Sequence, residues 1–455
     1  MKRLFLLLLI LAVVACKKTA PTAPATSTAP ATSTTPTTPT TPKETAIKTT
    51  TIALQLAGVS PENLGTALDR SIPGTIHYVQ NNEENLIIAP TLFYSEPLIP
   101  SIHLKRKNNE WTYIANYPEA AMGCGRDSKL LDNNGTVVFA DHGIEPSQVT
   151  WPFGNILIAK TNGEKLTWTT ISKERGFYHS IATGDVNSDG LTDLVGLHMG
   201  TKGTWADNLH TYLQKNDGKF EENRNLISYN NWLGAYGAGA VLIANILGDA
   251  RPEIIRADYR VFPAYPSKRY SFAIFSFSST TGKYEFVKTP GVFGFASTQF
   301  GVTSMKAVDL DKDGDLDIVL AYEGDQTNGV EIWTNNGNGD YVYSNQRLEY
   351  KFNELQFREF EIADVNDDGW QDIVLNGWGG NLFKVDQNKG EVLLNNLVWK
   401  NANGTFERIN TPNRVILGQM PTYIKAFIVS NKLKFIGIRG TSDGKLIIND
   451  ISPVF

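Results

Sequence analysis

Three stretches of the chain carry one nine-residue pattern. They are Asp185-Val-Asn187-Ser-Asp189-Gly-Leu191-Thr-Asp193, Asp309-Leu-Asp311-Lys-Asp313-Gly-Asp315-Leu-Asp317 and Asp364-Val-Asn366-Asp-Asp368-Gly-Trp370-Gln-Asp372. Each has oxygen-bearing side chains at positions 1, 3, 5 and 9, a glycine at position 6 and an apolar run directly after. Oxygens at alternate positions converge on one point only if the backbone curls around it, and glycine permits the sharp turn. Hard oxygen ligands in an adaptable loop select Ca²⁺, whereas Mg²⁺ demands stricter geometry and holds its water. In the middle copy five aspartates fall within the nine residues, and with no cation they repel one another at close range. The pattern therefore predicts about three bound calcium ions. Position 7 of each loop, Leu191, Asp315 and Trp370, is counted in the ligand set.

The first half of an EF-hand loop has the same spacing, but an EF-hand needs a glutamate at position 12 and a helix on either side. Position 12 here is Gly196, Leu320 and Leu375. The residues after the loops, Leu194-Val195, Ile318-Val319-Leu320 and Ile373-Val374-Leu375, read as buried strands. A solvated Asp/Gly turn with no metal would account for one copy but explains three poorly.

The elements that must hold these loops repeat with them. Related apolar runs without the loop occur at Leu86-Ile87-Ile88, Val137-Val138-Phe139, Ile254-Ile255 and Phe435-Ile436-Gly437. With the three loop copies they make a series of seven, spaced roughly 50–65 residues apart, the period of a propeller blade with long loops. Tight-turn signals lie between them, at Asn216-Asp217-Gly218, Asn335-Asn336-Gly337 and Asn403-Gly404. Each unit reads strand, calcium loop, strand, long loop, strand, tight turn, strand. The expected class is all-β, a seven-bladed propeller of four-stranded antiparallel blades.

These repeats resemble FG-GAP/VCBS repeats, the units of propellers like those of integrin α-subunits. The resemblance covers residues 48–455 and is sharpest in blades 3, 5 and 6. Blade 4 departs from it. In Asn245-Ile-Leu247-Gly-Asp249-Ala-Arg-Pro-Glu253 a leucine stands at position 3 and an alanine replaces the glycine, so no metal is expected there. Blade 2 has a shortened loop, Asp132-Asn133-Asn134-Gly135-Thr136, that lacks the last carboxylate. Blade 7 supplies three strands before the chain ends, and Thr49–Leu56 alternates as a strand would, so the N-terminal strand is expected to complete blade 7 and remove an open edge.

Residues 1–15 read as a targeting segment, with Lys2-Arg3 before the apolar run Leu4 to Val14. That run is too short to span a bilayer, which takes ~20 residues. Val13-Val14-Ala15-Cys16 resembles a bacterial lipobox, which implies cleavage before Cys16 and lipidation of its thiol. Such an anchor places the chain on a membrane; Lys17, where an aspartate would retain it at the inner membrane, points by resemblance to the outer one. Residues 16–47 form a Thr/Pro-rich linker that cannot bury a core. The remaining cysteine, Cys124, has no partner for an intramolecular disulfide and reads as a small buried hydrophobe. A net charge of −5 with no concentrated basic stretch argues against nucleic acid as a partner.

In the propellers this chain resembles, calcium loops occupy one face and ligand-binding loops the other. The strand after each calcium loop runs away from it, and its far end carries His142, His198, Tyr259 and Trp378; neighbouring loops add Trp232 and Tyr236. Those six residues are the candidate contacts for a protein or glycan ligand. The histidines match no zinc spacing. There is no Gly-x-Ser-x-Gly, Gly-rich phosphate loop or His-Glu-x-x-His. The expected function is adhesion or recognition at a surface rather than catalysis. The alternatives are a secreted carbohydrate-active enzyme on a propeller scaffold and a structural subunit of an outer-membrane complex.

Overall fold

In the computed structural model the chain divides into Met1–Lys43 and a compact unit, Glu44–Phe455. The residues described are 45–69, 74–90, 98–143, 154–198, 208–228, 238–249, 251–258, 272–290, 301–324, 327–337, 339–351, 353–377, 384–386, 389–409, 414–418, 421 and 423–455. All belong to the second unit.

Seven antiparallel sheets follow one another; in blades 1 to 6 the four strands run in sequence order from the inside outward, and in blade 7 the outermost strand is the first of the chain. The innermost strands are Ile76–Gln80, Gly125–Leu130, Tyr178–Gly184, Ala238–Ala244, Gly301–Val308, Phe360–Ala363 and Tyr423–Val429. Residues from all seven line one cavity of about 640 Å³, which is the central channel of a seven-bladed β-propeller. Blade 4 gains a short parallel edge, Ile227–Ser228. A separate three-stranded sheet takes two strands from the connection between the second and third strands of blade 6 and one, Arg414–Ile416, from the connection between blades 6 and 7.

The apolar residues pack between blades rather than in one central core. Ile87 and Ala89 of blade 1 join Val137 and Phe139 of blade 2. Leu320 and Tyr322 of blade 5 join Ile255 and Ile274 of blade 4. This is why the strands after the loops read as continuous apolar runs, since both faces of each sheet are covered.

The ring closes as the sequence implied. Ala46–Ala53 lies antiparallel to Lys445–Ser452 and makes the outer strand of blade 7. It starts two residues before the expected propeller boundary of 48, because the pairing extends to Ala46 opposite Ser452. Charges cross the seam between blades 7 and 1, with Lys434 paired to Glu84 at 2.7 Å and Arg106 to Asp450 at 2.9 Å.

One helix, Pro61–Asp69, packs on blade 7 and was not foreseen. Ser60 caps it, its Oγ accepting from the Asn63 N–H at 3.2 Å. Gly65 sits mid-helix because a Cβ there would stand 2.2 Å from the Thr441 carbonyl oxygen.

Strand direction sorts the connections between two faces. Loops from first to second strands and hairpins from third to fourth strands share one face. The longer connections, from second to third strands and from one blade to the next, share the other. On the first face the nine-residue loops of blades 3, 5 and 6 are replaced in blades 1 and 7 by two-residue turns. Asn81-Asn82 (φ 50° and 63°) and Ser430-Asn431 (φ 50° and 59°) have both central residues left-handed, as a type I′ hairpin requires.

Candidate functional site

The three nine-residue loops share one backbone path. Position 4 is left-handed in each, at Ser188 (φ 63°), Lys312 (63°) and Asp367 (58°), and so is the glycine at position 6, at Gly190 (83°), Gly314 (98°) and Gly369 (85°). Left-handed non-glycine residues are costly, and here local hydrogen bonds hold them. The position 1 carboxylate accepts the N–H of the glycine at position 6, from Gly190 at 2.8 Å, Gly314 at 3.2 Å and Gly369 at 2.6 Å. The position 5 carboxylate accepts the position 7 N–H at 2.9 Å in every copy, from Leu191, Asp315 and Trp370.

The aspartate at position 9 differs from the rest of the loop. Asp193, Asp317 and Asp372 are fully buried. One oxygen of each accepts the position 2 N–H, from Val186, Leu310 and Val365. The other accepts a backbone N–H of the third strand, from Gln214, Asn335 and Asn401, at 2.7–2.9 Å. This carboxylate therefore ties the loop to the sheet. Burial pushes each of the three up to about 6 against the pull of those two N–H groups, and the neighbouring loop carboxylates add to the rise.

The donor set fits a hard cation. Asp309, Asp311 and Asp317 each bring a carboxylate oxygen to within 4.8 Å of the others, the one such group of three among the described residues. Blades 3 and 6 have asparagine at position 3. In blade 6 its Oδ1, on Asn366, is shielded from solvent and accepts no hydrogen bond, which is the condition of an oxygen that lacks an electropositive partner.

Blade 4 keeps part of the backbone path with fewer carboxylates at the loop positions. Gly248 takes the left-handed position 4 (φ 73°), and Glu253 replaces the aspartate, one carboxylate oxygen accepting the N–H groups of Ile246 at 2.9 Å and Leu247 at 3.1 Å. In blade 2 the Asp132 carboxylate is turned onto its own loop, accepting from the N–H groups of Asn134 and Thr136 and from the Thr136 hydroxyl.

Neighbouring loops are linked, which sequence reasoning missed. The position 2 carbonyl accepts from a side chain of the next blade: Val186 from Tyr284 Oη at 2.9 Å, Ile246 from Asn335 Nδ2 at 3.3 Å and Leu310 from Asn401 Nδ2 at 2.9 Å. The signal available in the sequence was an asparagine at the same place in blades 5 and 6, ahead of the tight turn.

Of the candidate ligand contacts, Trp232, Tyr236, Tyr259 and Trp378 lie outside the described residues, as does Cys16 with the leader and all but the last three residues of the linker. His142 and His198 are described, and both are buried. His142 packs on Phe177 at 4.8 Å and on His179 at 4.5 Å between ring centroids. His198 stacks on His210 at 4.6 Å. These rings fill the fold rather than meet solvent, because each lies at or just past the end of a second strand and is covered by rings from other strands. Cys124 is buried, as expected.

A model of the FG-GAP-like repeat matches residues 309–375. The match begins at position 1 of the blade 5 loop and ends in the strand after the blade 6 loop, so it contains two of the three loops. No curated protein matches. Among solved structures the chain is similar to the Dos1 propeller, with 12% identity, a TM-score of 0.44 and coverage of 83% of this chain and 92% of that one. It is also similar to a Pseudomonas aeruginosa periplasmic gluconolactonase, PpgL, with 10% identity, a TM-score of 0.37 and coverage of 78% and 99%.

Proposed function

We propose that the chain is a calcium-stabilised recognition module, lipid-anchored through Cys16 at the outer membrane or cell surface, that binds a protein or glycan ligand rather than catalysing a reaction. The observation that carries the calcium reading is the threefold recurrence of one loop geometry, with the Asp309, Asp311 and Asp317 oxygens gathered in one copy and an unsatisfied Asn366 oxygen in another. Asp185, Asn187, Asp189 and Asp193 would hold the ion in blade 3. Asp309, Asp311, Asp313 and Asp317 would do so in blade 5, and Asp364, Asn366, Asp368 and Asp372 in blade 6. The bound ion would neutralise the loop carboxylates and lock one face of the ring. The ligand reading is supported by the division of labour between faces. Short, rigid turns and metal loops share one face, and the longer connections, where binding residues tend to lie, share the other.

The test is a glycan-array and pull-down screen with the calcium-loaded chain, repeated with Trp378→Ala and Trp232→Ala. The expected result is capture that either substitution abolishes at near-unchanged melting temperature. A large fall in melting temperature with either would show that these aromatics pack the blades, and the ligand face would lose its support.

A further inference from the structure

We propose that the central channel is itself a binding site for a small organic anion, whose carboxylate or phosphate is taken by the Arg126 guanidinium. This site is separate from the outer ligand face and does not rest on it. The channel's volume of about 640 Å³ lies within the range of small-molecule sites, roughly 300–1,000 Å³.

Its lining is strongly charged, and the charges pair off with one exception. Lys129 bonds Asp127 on the same strand. Lys306 meets Glu361 at 2.7 Å, and Lys425 meets Glu359 at 2.9 Å, each across a blade boundary. Arg358 turns to Glu323 at 2.9 Å. Every carboxylate among the lining residues is thus engaged by a lysine. Arg126 also lines the channel, is only half-buried, and among the described residues has no ion-pair or hydrogen-bond partner. It is the second residue of Gly125–Leu130, so it stands toward the channel mouth on the face of the long connections.

The surroundings of Arg126 favour an anion. Its charge reaches Tyr423 of blade 7, whose phenol burial and then Glu359 push up while Arg358 and Arg126 oppose the rise. It also bears on His142, which burial, then the Arg126 charge, holds down at about 3, so this imidazole stays neutral and adds no competing cation. A guanidinium grips carboxylate or phosphate through two parallel N–H donors. In a channel walled by protein its field is screened less than on an open surface. Ser128, Thr183 and Ser304 also line the channel, and their hydroxyls have no partner among the described residues, so a ligand that carries hydroxyls as well as the acid finds donors and acceptors on three blades.

The experiment is calorimetric titration of the purified, calcium-loaded full chain with glucuronate, glucose 6-phosphate and, as neutral control, glucose. The expected result is that at least one acid titrates and glucose does not. Arg126→Gln should weaken that binding about tenfold or more, the scale of a lost hydrogen bond to a charged group, with an unchanged melting temperature. Arg126→Lys keeps the charge but loses the fork and should fall between the two; it also serves if the glutamine variant does not fold. Binding of glucuronate alone assigns a carboxylate ligand and of glucose 6-phosphate alone a phosphate. Silence from both acids, binding of glucose as tight as of the acids, or an affinity indifferent to both Arg126 substitutions would overturn the proposal.

Discussion

The Lys312 ammonium stands 3.8 Å from the centroid of the Trp370 ring. Lys312 is position 4 of the blade 5 loop and Trp370 is position 7 of the blade 6 loop, so two adjacent nine-residue loops touch through a cation–π contact. The Asn401 amide, 2.9 Å from the Leu310 carbonyl, fastens the same two loops from beneath. An ordered loop in one blade thus presents a fixed surface to the next, and the ring gains a route by which filling one loop can favour the other.

A double-mutant cycle on Lys312→Ala and Trp370→Ala should return a coupling of about 0.5–1 kcal/mol, typical of an exposed cation–π pair. Calcium titration of the single variants should show the partner loop losing affinity as well as the mutated one. Additive effects in both measurements would mean that the contact is incidental.

The position 9 aspartates should behave unlike the others. Asp317 joins Leu310 and Asn335 through two buried N–H bonds, whereas Asp313 accepts from the Asp315 N–H within an exposed loop. Asp317→Ala leaves two buried donors unsatisfied, at roughly 1–3 kcal/mol each, and should destabilise the domain in EGTA as well as in Ca²⁺. Asp313→Ala should lower the melting temperature in Ca²⁺ and leave it nearly unchanged in EGTA. Equal losses in both media for the two variants would remove the distinction.

How much of this was legible depends on the range of the interaction. The loops could be read because their geometry is local; oxygen at alternate positions and glycine at position 6 are written within nine residues. Blade number and ring closure could be read because Ile318-Val319-Leu320 and its relatives recur along the chain. Blades 1 and 7 looked poor as repeats because Asn81-Asn82 and Ser430-Asn431 make the same connection with a hairpin turn, a substitution of one device for another. The hydrogen bonds from Asn401 and Asn335 to the neighbouring loops span 91 and 89 residues, and no local pattern announces them. The burial of His142 and His198 was missed for the same reason, since the rings that cover them come from other strands.

Gly65 tests the seat of the helix on blade 7. Alanine is the better helix former by about 1 kcal/mol in an open setting. Here its Cβ would meet the Thr441 carbonyl at 2.2 Å, and overpacking of that kind costs about 1–3 kcal/mol. Gly65→Ala should therefore lower the melting temperature, while Thr66→Ala, on the exposed side of the same helix, should leave it within error. A Gly65→Ala chain as stable as the parent would show that the helix shifts freely.

The anchor proposal turns on one thiol. Cys16→Ser removes the group that would carry lipid, and Cys124→Ser changes a buried residue in blade 2. Fractionation of cells expressing each should find the first released from membranes and the second retained. Retention of both would refute lipidation at Cys16.

Acid should affect the calcium-loaded and calcium-free chains differently. Burial holds His103, His198 and His210 at about 4 and His142 at about 3, below the ordinary 6.5. Their folded pKa values are depressed, so the stability they contribute is whole above pH 6.5 and is lost as pH falls toward 4. Asp193, Asp317 and Asp372 act in the opposite sense when no metal is bound. Their folded values of about 6 exceed the ordinary 3.8, so their contribution is whole at low pH and is lost as pH rises through 6. In EGTA the two sets oppose each other between pH 4 and 6. With Ca²⁺ bound the aspartates are held ionised, their gain on acidification disappears, and protons compete with the ion. The fall in melting temperature from pH 7 to pH 5 should therefore be steeper in Ca²⁺ than in EGTA, and each fully shifted group contributes at most ~1.4 kcal/mol per pH unit. Parallel slopes in the two media would show that the buried aspartates do not exchange protons for the ion.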